Sequence, residues 1–296
     1  RGELVLNIYD IEKKKRDKRP LRKMDKVLDM SYNNTGKKII LSAVAKGQTD
    51  LFLYSVIGNN QKQLTNDIFD DLSPRFVDND TRVIFASNRI DDTIRKKVST
   101  IQYKKDKDIY ILDINNIKRP LTRITNTPYI DESSPNQYTK ERYSYLSNAN
   151  GIRNRYVAYY DSAISFIDTA VHYNYFSVTA RMSNYSRDVL EYDPIEKSGI
   201  YSMLMFKNGK YHFYKGEYEK DRLIEDELVN TQFMSYWLKS KLKNKIPIIL
   251  TKKTTEEIDS NYVNINDYQF YNDKNPTTEK VLVEVYQNII YLKEIL

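Results

Sequence analysis

Apolar and polar residues alternate with a period of two through most of the first two-thirds of the chain, in runs of five to eight residues bounded by acidic, Ser, Asn and Gly turns. That period places alternate side chains on opposite faces of a β-strand. The runs recur in a fixed order. An acidic turn with Ser opens each unit, a strand ending near Ser follows, and a Tyr-rich alternating strand comes next. The first copy is Asp29-Met-Ser-Tyr, Ile39-Ile-Leu-Ser42 and Asp50-Leu-Phe-Leu-Tyr54. The second is Asp71-Leu-Ser-Pro74, Val83-Ile-Phe-Ala-Ser87 and Asp108-Ile-Tyr-Ile-Leu112, and the third is Asp131-Glu-Ser-Ser-Pro135, Tyr143-Ser-Tyr-Leu-Ser147 and Arg155-Tyr-Val-Ala-Tyr159.

A second mark closes each unit: Gln63-Leu-Thr-Asn66, Arg119-Pro-Leu-Thr122 and a degenerate Arg181-Met-Ser-Asn184. The acidic positions Asp29, Asp71, Asp131 and Asp188 stand about 40–60 residues apart, the period of four-stranded propeller blades with surface insertions. The polar stretch Asp91 to Asp106 reads as such an insertion. A fourth unit runs from Asp188 through Gly199-Ile-Tyr-Ser-Met-Leu-Met-Phe206, an Asn208-Gly209 hairpin turn and Tyr211-His-Phe-Tyr214. Upstream, Glu3-Leu-Val-Leu-Asn-Ile-Tyr9 aligns with the third strand of a unit, so the chain is expected to begin inside a blade and to be a piece of a larger protein.

The Ser-Pro-x-Phe turn, the Phe-Ala-Ser-Asn-Arg strand end, the Asp-Ile-Tyr strand and the closing Leu-Thr resemble the repeats of TolB-like propellers, over roughly Glu3 to Tyr218. The resemblance implies an all-β fold, a propeller of four-stranded blades forming a partial or complete ring. It also implies a periplasmic or outer-membrane-associated protein that binds other envelope proteins. The Asn-, Lys- and Tyr-heavy composition is similar to that of large envelope proteins of Bacteroidetes-type bacteria. The Asp-Ser/Thr-aliphatic triplets at Asp92, Asp161 and Asp168 resemble their O-glycosylation sites.

Past residue 220 the pattern changes. Leu223, Ile224, Leu228, Val229, Phe233, Trp237, Leu238 and Leu242 have helical spacing, which predicts one amphipathic helix over 222–245. Ile246–Leu250 and Lys280–Tyr286 read as strands, and Asn264–Thr278 as a polar connector. Two domains are therefore expected: propeller blades over 1–220, and a small α+β appendage over 221–296.

The 26 Tyr and 10 Phe supply strand-forming, half-buried side chains, and 8 Gly with 8 Pro are too few for a flexible linker. Tyr156, Tyr159, Tyr160, Tyr173 and Tyr175 are expected to pack in the sheets, or else to form an exposed recognition surface, including one for a glycan. The net charge of +7 owes much to the run from Lys13 to Lys23. That run reads first as a solvated loop between the third and fourth strands of the first, partial blade, and second as a contact for an anionic partner. No nucleic-acid-binding module accompanies it, so nucleic acid is not expected as a partner.

No catalytic residue is assigned. The chain holds no Cys, only two His and no nucleophile elbow, phosphate loop, dinucleotide fingerprint or zinc motif. No cofactor and no metal are expected. Asp78-Asn79-Asp80 has calcium-loop composition, but Val83 and Arg89 stand where an EF-hand needs Gly and Glu, so it reads as a hairpin turn. His172 and His212 read as sheet residues. No apolar run reaches the length of a spanning helix.

The candidate binding residues are Asp70, Asp71, Asp131 and Glu132, which equivalent turns would bring to one end of a wheel, with Asn88 and Arg89 beside them. Their alternative role is to fix how each blade begins through Asx-type bonds. The function expected is a non-catalytic, protein-binding scaffold within a larger envelope protein. Its rivals are the substrate-gating propeller of a peptidase whose catalytic domain lies elsewhere, and a carbohydrate-binding module.

Overall fold

A computed structural model describes residues 4–94, 105–167, 170–218, 222–243, 284–286 and 289–291. The strands of residues 4–218 are β1 (Val5–Asp10), β2 (Lys15–Pro20), β3 (Lys26–Tyr32), β4 (Lys38–Ala45), β5 (Gln48–Ser55), β6 (Asn60–Gln63), β7 (Asp71–Val77), β8 (Arg82–Ser87), β9 (Asp108–Asp113), β10 (Thr122–Arg123), β11 (Glu132–Thr139), β12 (Arg142–Ser147), β13 (Asn154–Ile167), β14 (Val171–Arg181), β15 (Val189–Ile195), β16 (Ile200–Lys207) and β17 (Lys210–Glu217). One helix, α1 (Gln232–Lys243), follows.

They form five consecutive antiparallel meanders, β1-β2, β3-β4-β5-β6, β7-β8-β9-β10, β11-β12-β13-β14 and β15-β16-β17. The three central sheets are complete four-stranded blades. The first strands of these three sheets and of the fifth, β3, β7, β11 and β15, lie side by side in sequence order, as the inner strands of a propeller do. The core lies between sheets. Leu6, Leu21 and Met24 pack on Ile39, Leu41 and Phe52; Ile40, Leu51 and Leu64 on Val83, Phe85 and Tyr110; and Ile84, Ile109 and Ile111 on Tyr143 and Tyr145. Blades are thus held by apolar burial on both faces of each central sheet, which removes the hydrophobic cost of an isolated antiparallel ribbon.

Three sequence expectations need correcting. The basic run is not a loop: Lys15–Pro20 is the second strand of the first, two-stranded sheet, hydrogen-bonded along β1 from Val5↔Pro20 to Asp10↔Lys15. Its charged, exposed side chains suit the outermost position, because Lys and Arg on a free edge discourage pairing with another chain. The domain boundary does not fall at 220. The compact unit extends to Lys245, because Ile224 bridges to Arg181 and the Thr231 N–H donates to the Asn150 carbonyl at 2.9 Å.

The helix is shorter than 222–245, since residues 222–231 are irregular apart from the single bridge at Ile224. Met234 is its buried anchor, whereas Phe233 and Tyr236 face solvent. Gly151 permits the docking: it has φ +91°, and a Cβ there would stand 2.3 Å from the Thr231 hydroxyl.

The second unit, Ile246–Leu296, contributes one described hairpin, β18 (Glu284–Tyr286) with β19 (Ile289–Tyr291). The strand expected at Ile246–Leu250, the connector at Asn264–Thr278 and most of the Asp91–Asp106 insertion lie outside the described residues.

Candidate functional site

One hydrogen-bonding device is repeated where each blade closes onto the next. The first residue of the third-strand repeat, Asp50, Asp108 or Asn154, accepts the backbone N–H of a residue beyond the fourth strand: Asp67 at 3.3 Å, Thr127 at 3.1 Å and Tyr185 at 2.7 Å respectively. The following residue donates its N–H to a hydroxyl: Leu51 to Thr65, Ile109 to Thr125, and Arg155 to Ser183, at 2.8–2.9 Å. This fixes the repeat alignment more closely than the sequence does. The second closing motif is Arg123-Ile-Thr-Asn126, not Arg119-Pro-Leu-Thr122, because Thr125 is the hydroxyl that holds Ile109.

The acidic alignment shifts as well. Asp71 pairs with Ser87 and Glu132 with Ser147, so Glu132, not Asp131, matches Asp71. Asp70 and Asp131 are the true pair, each donating its N–H to an Asn carbonyl, Asn88 at 2.8 Å and Asn148 at 2.7 Å. Asp29 lies farther along β3 and pairs with Arg75 of the next blade at 2.8 Å.

These placements correct the expectation of an acidic binding face. Asp71, Asn88, Arg89 and Glu132 are buried, and Asp70 and Asp131 half-buried. Arg89 is fully enclosed. Its guanidinium donates to Asp67 at 3.1 Å, to Asp71 at 2.5 Å and, through Nε, to the Ser87 hydroxyl at 3.1 Å. The rings of Phe69, Phe85 and Tyr110 surround it at 5.6–5.7 Å. Burial opposes the charge on Arg89, but the carboxylates of Asp71 and Asp67 outweigh it and raise its pKa. The Ser42 hydroxyl donates to the Asp71 carbonyl at 2.6 Å, tying the neighbouring blade to the same point.

Asp50 and Asp67 complete the cluster. Burial pushes Asp50 up to about 7, with the negative charges of Asp71 and Asp67 adding to it. Burial likewise takes Asp67 to about 6, against the pull of Arg89. At the next junction Asp108 pairs with Arg123, and Glu132 takes hydroxyl donors from Thr125 and Thr127. Glu132 is thus held as a buried, hydrogen-bonded strut rather than presented to a ligand.

The exposed chemistry is elsewhere, on the β13–β14 hairpin, which outgrows its blade into an arm. Its base crosses to the preceding blade, where the Tyr160 and Ser177 hydroxyls donate to the carbonyls of Arg123 and Ile124. Register puts Tyr160, Ile164, Tyr173 and Tyr175 on one face, and all four are exposed, Tyr175 to 69%. Phe166 and Phe176, on the other face, are exposed too, and His172 stacks on Phe166 at 4.1 Å. So Tyr160, Tyr173 and Tyr175 are not packed in the sheet; Tyr156 and Tyr159, nearer the hub, are half-buried. His212 bonds the Lys207 carbonyl across its hairpin. Asp78-Asn79-Asp80 is the β7–β8 turn, with φ of 52°, 55° and 65°, and Asp80 is engaged by the Asn34 N–H at 3.0 Å.

No protein-family model and no curated protein matches the chain. Solved structures do. TolB of Acinetobacter baumannii superposes with a TM-score of 0.51 at 15% identity, over 74% of this chain and 47% of that one. A TolB-assigned chain of Agrobacterium tumefaciens gives 0.54 at 12% identity, over 76% and 74%. The fold is a TolB-like β-propeller. The chain therefore spans about half the length of the Acinetobacter TolB. At these identities the likeness concerns the fold. The junction clusters account for the TolB-like repeat signature here: the Asp, Ser and closing Thr that mark it are the residues that lock one blade to the next.

Proposed function

We propose that this TolB-like segment is a non-catalytic scaffold that holds a protein partner in the cell envelope as part of a larger protein. The exposed aromatic face of the β13–β14 arm carries the reading. Tyr160, Ile164, Tyr173 and Tyr175 form a contiguous strip on a hydrogen-bonded ribbon whose base is anchored to two blades. Apolar and aromatic side chains in that arrangement lose little conformational freedom on binding, and Tyr is enriched where partners dock. An envelope location is supported by the fold likeness. Among the described residues, no helix is long and apolar enough to cross a membrane.

The test compares the wild-type chain with an Ile164→Ser/Tyr173→Ser/Tyr175→Ser variant in crosslinking to a fractionated envelope. The reading expects at least one envelope protein captured by the wild type, tenfold less by the variant, and unchanged melting of the two chains. Equal capture by both, or binding on a glycan array with no protein captured, refutes it.

A further inference from the structure

The junction between the first and second complete blades differs from the other two in a way that points to a ligand. Asp50, Asp67 and Asp71 each bring one carboxylate oxygen within 4.8 Å of the others, and all three residues are buried. Among the described residues, Arg89 is the cation of the cluster, and it pairs with two of the three, Asp67 and Asp71. When all three are ionised, three carboxylates against one guanidinium leave two negative charges without compensation among the described residues, in a water-excluded site where an isolated charge costs several kcal/mol. Independently of that count, Asp71 Oδ2 is enclosed and has no hydrogen-bond partner among the described residues. A buried carboxylate oxygen without a donor is rare in a folded protein.

The other junctions serve as internal comparisons. Where the first has Asp50, Asp67 and Asp71, the second has Asp108, Thr127 and Glu132, and the third has Asn154, Tyr185 and Val189. At the second, Thr127 stands in place of one carboxylate and donates its hydroxyl to Glu132, while Arg123 pairs with Asp108. At the third there is no carboxylate at these positions to neutralise.

We propose that Asp50, Asp67 and Asp71 bind one divalent cation of calcium type, which clamps the first complete blade to the second. A hard cation takes oxygen ligands, and calcium holds them at about 2.3–2.6 Å, so ligand oxygens on opposite sides of the ion stand about 5 Å apart. The three oxygens lie within 4.8 Å of one another, close enough to share one ion, and a dry site of carboxylates suits calcium better than magnesium, which dehydrates reluctantly and keeps several waters. The donors already present do not block ligation. Asp50 accepts from Gln63 and the Asp67 N–H, and Asp67 from the Phe69 N–H and Arg89, but each carboxylate oxygen has a second lone pair. With a divalent ion, three carboxylates and one guanidinium sum to zero charge. The proposal stands apart from the scaffold reading, since the clamp needs no partner.

The test uses the whole chain, stripped with chelator and dialysed at pH 8 against calcium chloride, or against magnesium chloride. Bound metal is counted by mass spectrometry, and melting is followed by circular dichroism. One calcium per chain is expected, with melting raised by about 5–10 °C at a hundredfold excess over Kd, and a smaller rise in magnesium. Asp71→Asn should bind calcium at least tenfold more weakly, while Glu132→Gln at the second junction should bind as wild type. Should Asp71→Asn not fold, Asp50→Asn replaces it, and the wild-type stoichiometry is decisive without either. A wild-type chain that retains no calcium and melts at one temperature in chelator and in calcium overturns the proposal. Equal calcium affinity in the wild type and in a folded Asp71→Asn variant overturns it too.

Discussion

Replacing Arg89 with Ala removes the group on which the first junction turns. The side chain is fully enclosed, its guanidinium serves Asp67 and Asp71 together, and three aromatic rings line its surroundings. Removing one partner of a buried pair costs about 3–5 kcal/mol, because the remaining charge stays desolvated. Here two carboxylates are left, and a void opens among Phe69, Phe85 and Tyr110, so the upper part of that range applies. Against a typical total of about 5–15 kcal/mol the loss is a third or more. The same ion-pair chemistry at Arg75–Asp29, with side chains 27% and 31% exposed, should contribute only about 0–1 kcal/mol. Urea titration of wild type, Arg89→Ala and Arg75→Ala, followed by far-ultraviolet circular dichroism, separates the two. The expected order is a large midpoint shift for Arg89→Ala and almost none for Arg75→Ala. An Arg89→Ala protein within about 1 kcal/mol of wild type would show that burial is not what gives the pair its weight.

With divalent ions chelated, stability should fall as pH rises from 5 to 8. Asp50 holds its proton up to about 7 in the folded chain against an ordinary value of 3.8, so folding favours the protonated form and its contribution is lost as the pH climbs through 7. The slope is at most about 1.4 kcal/mol per pH unit for each such group. Urea midpoints across that range should decline in the wild type and flatten in Asp50→Asn; a flat wild-type profile contradicts the assignment. Gly216→Ala should destabilise the fifth sheet, because an added Cβ would stand 2.1 Å from the buried Tyr201 ring. A cost of about 1–3 kcal/mol is expected from the forced displacement. An unchanged melting temperature would mean that the ring moves aside freely.

The blade repeat was legible because strand alternation, turn chemistry and the Asp-Ser punctuation recur together. Its fine alignment was not. Asp131 and Glu132 are adjacent and both acidic, and Leu121-Thr122 and Ile124-Thr125 lie three residues apart. Only the bond from the Ile109 N–H to a hydroxyl decides which Thr closes the blade. The arm was missed for a related reason: Tyr173 and Tyr175 alternate as core residues do, and alternation alone does not say whether a second sheet covers that face. The helix begins late because Ile224, which fits the helical spacing, is claimed by backbone pairing with Arg181. Arg89 was visible as a strand-end residue, but its partners, Asp67 and Asp71, are 22 and 18 positions away, and no local pattern joins them.

The repeated anchor imposes an order on the chain as it is made. Each third strand is closed by an N–H that follows its anchor by 17, 19 or 31 residues, and the first closure is then sealed by Arg89 from the next sheet. A ribosome releasing the N-terminal end first exposes every blade as an unfinished ribbon until its successor emerges. Assembly should therefore advance vectorially, one blade behind synthesis, and a truncation ending between Asp50 and Arg89 should leave the first complete blade without its latch.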